Sequence, residues 1–311
     1  MTNSTVSRIA QINGAGAVDA LLLKQFGGEI LTEFAQATVF KERHFVRQIS
    51  GGKSAQFPMI GSVTSSYHTP GNFIDGQTVN HAEKTITVDG LLVAPIFLDN
   101  VDEKMNHYDV RGPYATEMGR ELARQYDRNV ARMYIQAARG SSELTGRAGG
   151  SQITHADMPT DSSRIEAAIW TAAQTLDEKN VAPADRNAFF KPAYYYMLCQ
   201  REKLLNKDYA GTARIDSGTI GTVAGITLIK TNEVPSTNLS ADSSIHSKYR
   251  ADYSKTVGIV GNRWAVGTVQ LMDISLESEW EIRRQGTFFV AKLAVGTDTL
   301  DRRCSIEIAD A

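Results

Sequence analysis

Gly51, Gly52, Lys53 and Ser54 stand in the order of a phosphate-binding loop. Such a loop needs a further glycine at the position that Arg47 occupies, and a helix behind it whose N-terminal amides hold phosphate. Ala55-Gln56-Phe57-Pro58 is a poor helix start, so the four residues read as a turn with an exposed lysine. Gly218, Gly221 and Gly225 lack the dinucleotide-binding spacing and read as a loop before a strand. Asp99, Asp102, Glu103, His107 and Asp109 form an acidic cluster with one imidazole. Oxygen-rich clusters can hold Ca²⁺ or Mg²⁺, but this spacing matches no recognised loop. A solvated face or salt bridges between subunits is the better reading. The histidines, at 44, 68, 81, 107, 155 and 246, make no HxxH or HExxH pairing. Sequence order does not decide a Ser-His-Asp arrangement, but there is no Gly-x-Ser-x-Gly elbow. Tyr194, Tyr195 and Tyr196 could stack on bases. Inside a helix behind Lys191–Pro192, they read as core or interface packing. Arg43, Arg47 and Lys53 make a modest basic group. No catalytic residue, metal or cofactor is expected.

These residues hang on a chain of 311, long enough for two compact domains or one large one with extensions. Hydrophobic residues make up 42%, enough for a sizeable core. Lys+Arg 33 against Asp+Glu 35 leaves a net charge of −2, which argues against a DNA-coating protein. A container that lets DNA slide past is compatible with it. Cys199 and Cys304 make neither a disulfide framework nor a zinc site, and folding in a reducing compartment is expected. The N-terminus lacks the pattern of a signal peptide, and residues 17–23 are too short to span a bilayer. A soluble protein made in a cytoplasm is expected.

Residues 1–16 are polar and read as a mobile arm. Leu21, Leu22, Phe26, Ile30 and Phe34 keep helical spacing over residues 18–34, broken at Gly27–Gly28. Residues 45–60 and 84–98 read as extended strands, with Ile86 and Val88 alternating with threonines. Between them, residues 61–81 are rich in Ser, Thr, Gly, Pro and Asn. The result is a protruding hairpin, marginal in water and better placed against a neighbouring subunit. Pro113 then opens a helix over 113–139, with a stripe of Ala115, Met118, Leu122, Tyr126, Val130, Met133 and Ala137. Charged residues, Asp127 and Arg132 among them, are expected on its other faces. At about 1.5 Å per residue the rod is roughly 40 Å long.

Residues 141–160 read as a flexible connection. A second helix follows over 163–178, with a capping box of Ser163 and Glu166. Its buried face is Ile165, Ala168, Ile169, Ala172, Ala173 and Leu176. Residues 183–200 read as a strand and a Pro-started third helix, and 218–235 as a loop feeding a buried strand. Residues 264–308 are mostly strand, with a turn at 296–301.

SGGKSAQFP (50–58), HAEKTITVDGLL (81–92) and MNHYDVR (105–111) carry a resemblance. It is near-continuous over 26–111 and returns at 179–200, 218–235 and 265–303. In that order they resemble the major capsid proteins of short-tailed, podovirus-type double-stranded DNA phages of the autographivirus group. The resemblance implies an α+β chain with the tailed-phage, Hong Kong phage-type capsid fold. It places an N-terminal arm at 1–44 and an extended β-hairpin loop at 45–100. A P-domain follows at 101–160 and 263–311, with its spine helix at 113–139, and an αβ A-domain at 161–262. The stretch between spine helix and Asp161 is shorter than usual for the group, which suits the compact version of marine, cyanobacteria-infecting relatives.

The implied function is structural: hexamers and pentamers of this chain closing into an icosahedral head around double-stranded DNA. Expected assembly contacts are Arg43, Arg47, Lys53, Phe57, Lys84, Asp99, Asp102 and Glu103, with DNA contact as the minor alternative for the basic three. Implied partners are the chain itself, a scaffolding protein and a portal during assembly, weakly contacted DNA and an optional decoration protein; no membrane is involved. Assembly is placed in the host bacterial cytoplasm, and the product in the virion. Lys53 and Lys84 lie in the loop that some members of the wider fold crosslink, but none is expected here. An encapsulin-type compartment shell is the alternative on the same fold, distinguished by cargo protein in place of DNA. A soluble α/β enzyme is the third reading, and it lacks a convergent polar site.

Overall fold

The computed structural model describes residues 38–101, 111–201 and 218–311. The expected helix over 18–34, the break at Gly27–Gly28, and Asp102, Glu103, His107 and Asp109 of the acidic cluster lie outside the described residues. Two units are distinguished. Among described residues the first takes 38, 90–101, 111–126 and 272–295, and the second 39–89, 127–201, 218–271 and 296–311.

In the first unit, β4 (Gly90–Asp99) pairs antiparallel with β11 (Gly286–Thr299), from Gly286 opposite Asp99 to Val295 opposite Gly90. Leu91, Val93, Pro95 and Phe97 alternate along β4 and are exposed. The helix α1 (Arg111–Arg139) starts here, two residues before Pro113. Its expected stripe is buried throughout, with Met118 and Leu122 each 2% exposed.

In the second unit, β1 (Phe45–Gln48) runs parallel to the start of β10 (Val266–Glu281). β2 (Ser54–Ile60) and β3 (His81–Thr87) form the expected hairpin, with Ser54 opposite Thr87 and Ile60 opposite His81. The two long strands expected from sequence are each broken in two. Gly52, at φ 98°, turns the chain between β1 and β2. Val88–Asp89 separate β3 from β4, which opens on Gly90 at φ 145°. A glycine readily takes such angles, and other residues rarely do.

A mixed sheet of six strands forms the body of this unit, in the order β5-β12-β9-β6-β8-β7. Its strands are β5 (Ser151–Thr154), β6 (Arg186–Phe190), β7 (Thr222–Val223), β8 (Ile226–Lys230), β9 (Thr256–Asn262) and β12 (Ser305–Ala309). Every residue of β9 and β12 is buried, as central strands covered on both faces require. β5 corrects the expectation of a flexible connection: it joins the sheet edge by pairing parallel with β12. α2 (Ser162–Glu178) packs against β5 and β12, and α3 (Pro192–Cys199) against β6 and β8. The buried face of α2 is the one expected, residue for residue. Its cap is not: Asp161 is the capping residue in place of Ser163, and its carboxylate accepts the Ser163 amide at 2.8 Å. Aspartate caps as well as serine does, and standing two positions earlier it leaves Ser163 in the first turn.

The expected turn at 296–301 begins too early, because β11 continues to Thr299. Gly296 lies inside the strand since a Cβ there would collide with the carbonyl of Thr87. Glycine here marks close backbone approach and not a turn.

From residue 130 onward α1 is buried on nearly every side: Val130, Ala131, Met133, Tyr134, Ile135, Ala137 and Ala138 are at most 3% exposed. Asp127 and Arg132, expected in solvent, are 1% and 6% exposed. Arg139 then clamps the fully buried Glu307 of β12 through two bonds, Nε to Oε2 at 2.7 Å and Nη2 to Oε1 at 2.6 Å. Thr256 and Gln152 donate to the same carboxylate. A buried charge is tolerable when its lone pairs are filled in this way.

Candidate functional site

The sequence motifs that hinted at chemistry resolve into turns. Gly51–Lys53 is a bend followed by a strand, so no helix N-terminus is available to a phosphate. The Lys53 side chain is exposed, and its carbonyl accepts the Val88 amide at 2.9 Å. Residues 218–221 lead into β7, and Ala224 and Gly225 turn it into β8 at φ 52° and 75°. Tyr195 is buried and donates to the Ile220 carbonyl at 3.2 Å, while Tyr196 accepts from Lys230 Nζ at 3.0 Å. Among the described residues, no group of three or more His, Cys, Asp or Glu could hold a metal ion. Burial pushes the Cys304 thiol up to about 12, so it stays an unreactive thiol at neutral pH.

What the second unit does build is a hairpin with a fixed base and a bare tip. Alternation along β2 and β3 puts Ala55 opposite Ile86 and Phe57 opposite Lys84 on one face. Ala55 and Ile86 join Val269 in an apolar cluster, edged by Ile49, Phe57 and Val88. Burying Ile86 completely stabilises the base by roughly 1.5–3 kcal/mol. Beside this plug, Lys84 Nζ meets Glu143 at 3.2 Å and Asp298 at 3.6 Å, and Arg302 meets Glu143 at 3.2 Å. These side chains keep some solvent contact, so each pair is worth about 1 kcal/mol or less. On the other side, Phe45 stacks on Trp264 at 4.9 Å and meets Phe57 edge-on at 5.8 Å. Arg47 lies 5.4 Å over the Phe57 ring and donates to the Gln56 carbonyl at 3.2 Å.

The tip, residues 61–80, is held in shape by its own side chains. Gly61 donates to the Asn80 carbonyl at 2.8 Å. Farther out, the Thr64 amide and hydroxyl donate to Gln77 Oε1 at 3.2 and 2.9 Å, and Gln77 Nε2 returns a bond to the Thr64 carbonyl at 2.8 Å. The Gln77 amide thereby stands in for a backbone rung. The tip presents Tyr67, Phe73 and Ile74 at 104%, 96% and 82% exposure.

Of the expected contact residues, Arg47, Phe57 and Lys84 gather at the hairpin base, and Lys53 stands at the turn beside it. Arg43 lies at the root of the segment entering β1, where its Nη1 donates to the Val39 carbonyl at 2.5 Å. Asp99 ends β4 in the first unit. Asp102 and Glu103 lie outside the described residues. Sequence reasoning missed Trp264, Glu143, Asp298 and Arg302. Each is distant in sequence from the hairpin it supports, and nothing local signals the pairing.

A family model for the Gp10A-like major capsid protein matches residues 56–309, from within β2 to the end of β12. The chain belongs to that family. The Gp10A-like chain is 31% identical to the major capsid protein of Escherichia phage T7 over 308 residues, covering 91% of this chain and 89% of the relative. It is 32% identical to the major capsid protein of Enterobacteria phage T3 over 315 residues, covering 92% and 91%. Among solved structures, the capsid structure of the cyanophage P-SCSP1u matches with a TM-score of 0.81 and 39% identity, over 100% of this chain and 99% of that one. The mature capsid of bacteriophage PhiM1, at 16% identity and TM-score 0.75, supports the fold alone. The Gp10A-like chain therefore has the α+β, Hong Kong phage-type capsid fold that SGGKSAQFP, HAEKTITVDGLL and MNHYDVR suggested. It is a major capsid protein, a structural component of a phage shell.

Proposed function

We propose that this chain forms hexamers and pentamers that close into an icosahedral head around double-stranded DNA. Its bare hairpin tip is the observation that carries this reading. A chain that holds Tyr67, Phe73 and Ile74 bare on an otherwise polar tip, with Phe73 at 96% exposure, is built to be completed by another copy. Arg47, Lys53 and Phe57 are proposed intersubunit contacts along the base, joined by Arg43 and, from the acidic cluster, Asp99, Asp102 and Glu103. Lys84 is a proposed contact as well, and within its own chain it meets Glu143 and Asp298. A scaffolding protein sets the shell's size and a portal its entry vertex, both during assembly in the host cytoplasm; a decoration protein is an optional addition. Packaged DNA is contacted weakly.

Electron microscopy of particles tests this. Wild-type chain with scaffold is expected to give uniform shells, and a chain lacking residues 61–81 folded subunits without shells. Normal shells from the deletion would remove the hairpin from the assembly mechanism. Cargo protein in place of DNA in native particles would point to a compartment shell.

A further inference from the structure

Two recesses meet beside the hairpin base. A groove of about 620 Å³ is lined by Phe57, Met59, Ala182, Trp264 and Leu300. A smaller cavity of about 380 Å³ is lined by Ser62, Thr145, Glu178 and Lys179. Ile60, Arg147, Asn180 and Arg303 line both, so the two recesses are the wide and narrow ends of one cleft. Each volume lies in the roughly 300–1,000 Å³ range of small-molecule sites.

The two ends differ in chemistry. The wide end is apolar and aromatic. Phe45 stacks on Trp264 at 4.9 Å, yet the indole stays 52% exposed, which leaves aromatic surface for a second ring. Cations gather toward the narrow end. Arg147 Nη2 and Arg303 Nε both donate to Asp301 Oδ2, at 3.0 and 2.8 Å, so two guanidinium groups share one carboxylate. Each spends one nitrogen on it and keeps further N–H groups. Lys179 Nζ donates to the Gly149 carbonyl and the Ser151 hydroxyl, each at 2.7 Å, which leaves its third N–H. Among the described residues no carboxylate comes within 4 Å of that ammonium. Burial lowers its pKa below the usual lysine value, as for a charge short of compensation. Glu178 is engaged along its own helix, where it accepts from Gln174 Nε2 at 2.8 Å. The lining therefore carries one positive charge in excess.

A free anion would use only the narrow end, and a purely apolar molecule only the wide end. A flat ring joined to a phosphate uses both. The guanidinium fork matches phosphate oxygens, and a base stacks on an indole. We infer that this cleft binds a nucleoside monophosphate, with its base against Trp264 and its phosphate on Arg147, Arg303 and Lys179. The ligand touches β2 through Phe57 and Met59, and the body of the same unit through the residues around Arg147, Asn180 and Arg303. It thereby ties the hairpin base to that body. The inference is independent of how copies of the chain assemble.

Isothermal titration calorimetry on the full chain tests it, with adenosine monophosphate, adenosine and inorganic phosphate as separate ligands. The monophosphate is expected to bind once per chain, roughly tenfold or more tighter than either fragment, because one molecule fills both ends. At about ten times its Kd it is expected to raise the unfolding midpoint by about 2–4 °C. Trp264→Ala should weaken the monophosphate roughly tenfold and leave phosphate unchanged. Arg303→Gln should weaken the monophosphate and phosphate alike and leave adenosine unchanged. No binding, or phosphate bound as tightly as the monophosphate, overturns the inference. A single-stranded oligonucleotide that binds more tightly than the monophosphate also overturns it, since the cleft would then be a nucleic-acid surface. If either variant loses the wild-type circular dichroism spectrum, Ala182→Trp decides. It fills the wide end from an exposed position, and wild-type affinity of this variant for the monophosphate overturns the inference.

Discussion

Asp127 and His44 hold the short segment that leads into β1. The Asp127 carboxylate accepts the amides of Val39 and Phe40, at 2.7 and 3.3 Å. His44 bonds the Phe40 carbonyl through Nδ1 at 2.6 Å and Thr268 through Nε2 at 2.8 Å. Burial outweighs the two amide donors and lifts the Asp127 carboxyl from 3.8 to about 7, with Glu233 adding to the rise and Arg43 opposing it. Burial lowers His44 from 6.5 to about 4, opposed by its bond to Phe40 and aided by Arg263. The Asp127 contribution to stability is full below pH 3.8 and is lost as the pH rises to about 7. The His44 contribution is full above pH 6.5 and is lost as the pH falls to about 4. Between those limits the folded chain keeps one proton on Asp127, and the unfolded chain keeps one on His44. The two slopes cancel. Asp127→Asn should therefore expose an acid-side loss between pH 6.5 and 4, on the order of a few kcal/mol. His44→Gln should expose the opposite slope. Urea unfolding at pH 4.5, 5.5 and 6.5 checks both; parallel profiles for wild type and variants would refute the compensation.

At the scale of the element, α1 shows what periodicity reads well and what it misses. Its stripe was legible because residues three and four apart share a face. Leu122, 2% exposed, is a sharp test. Leu122→Asp would bury an unpaired carboxylate at a cost of several kcal/mol. Insoluble or unassembled protein is expected, scored by soluble fraction and sedimentation; wild-type particles would show that the stripe is not a core face. Past residue 129 the run Val-Ala-Arg-Met-Tyr-Ile-Gln-Ala-Ala is apolar on several faces, the mark of a buried helix. The same signal places Arg132 inside, against the ordinary expectation that a charged side chain meets solvent.

The whole molecule carries 33 basic and 35 acidic side chains, and this balance bears on its contents. A wall that held many phosphates would bind DNA with a steep salt dependence and would resist both packaging and ejection. Binding of duplex DNA to empty shells is expected no tighter than about 10⁻⁴–10⁻⁶ M at physiological salt. Fluorescence anisotropy across a salt titration measures it. Nanomolar, sequence-selective binding would contradict the role of a container.

The sequence by itself determined the hairpin, the long helix, the buried face of α2 and the family. All four are written in local patterns: alternation at two, spacing at three and four, and collinear runs such as HAEKTITVDGLL. Only the tertiary structure decided that Gly296 is a point of close approach to Thr87, that residues 151–154 complete a sheet, and that Asp127 is a buried clamp. Each of these depends on a partner far away along the chain. The seat of the hairpin is the clearest case. Lys84 is expected from the sequence at a contact between subunits, and only folding brings Glu143 and Asp298 of its own chain within 4 Å of its charge. Coulomb and packing forces act on distance in space, and a sequence records only distance along the chain.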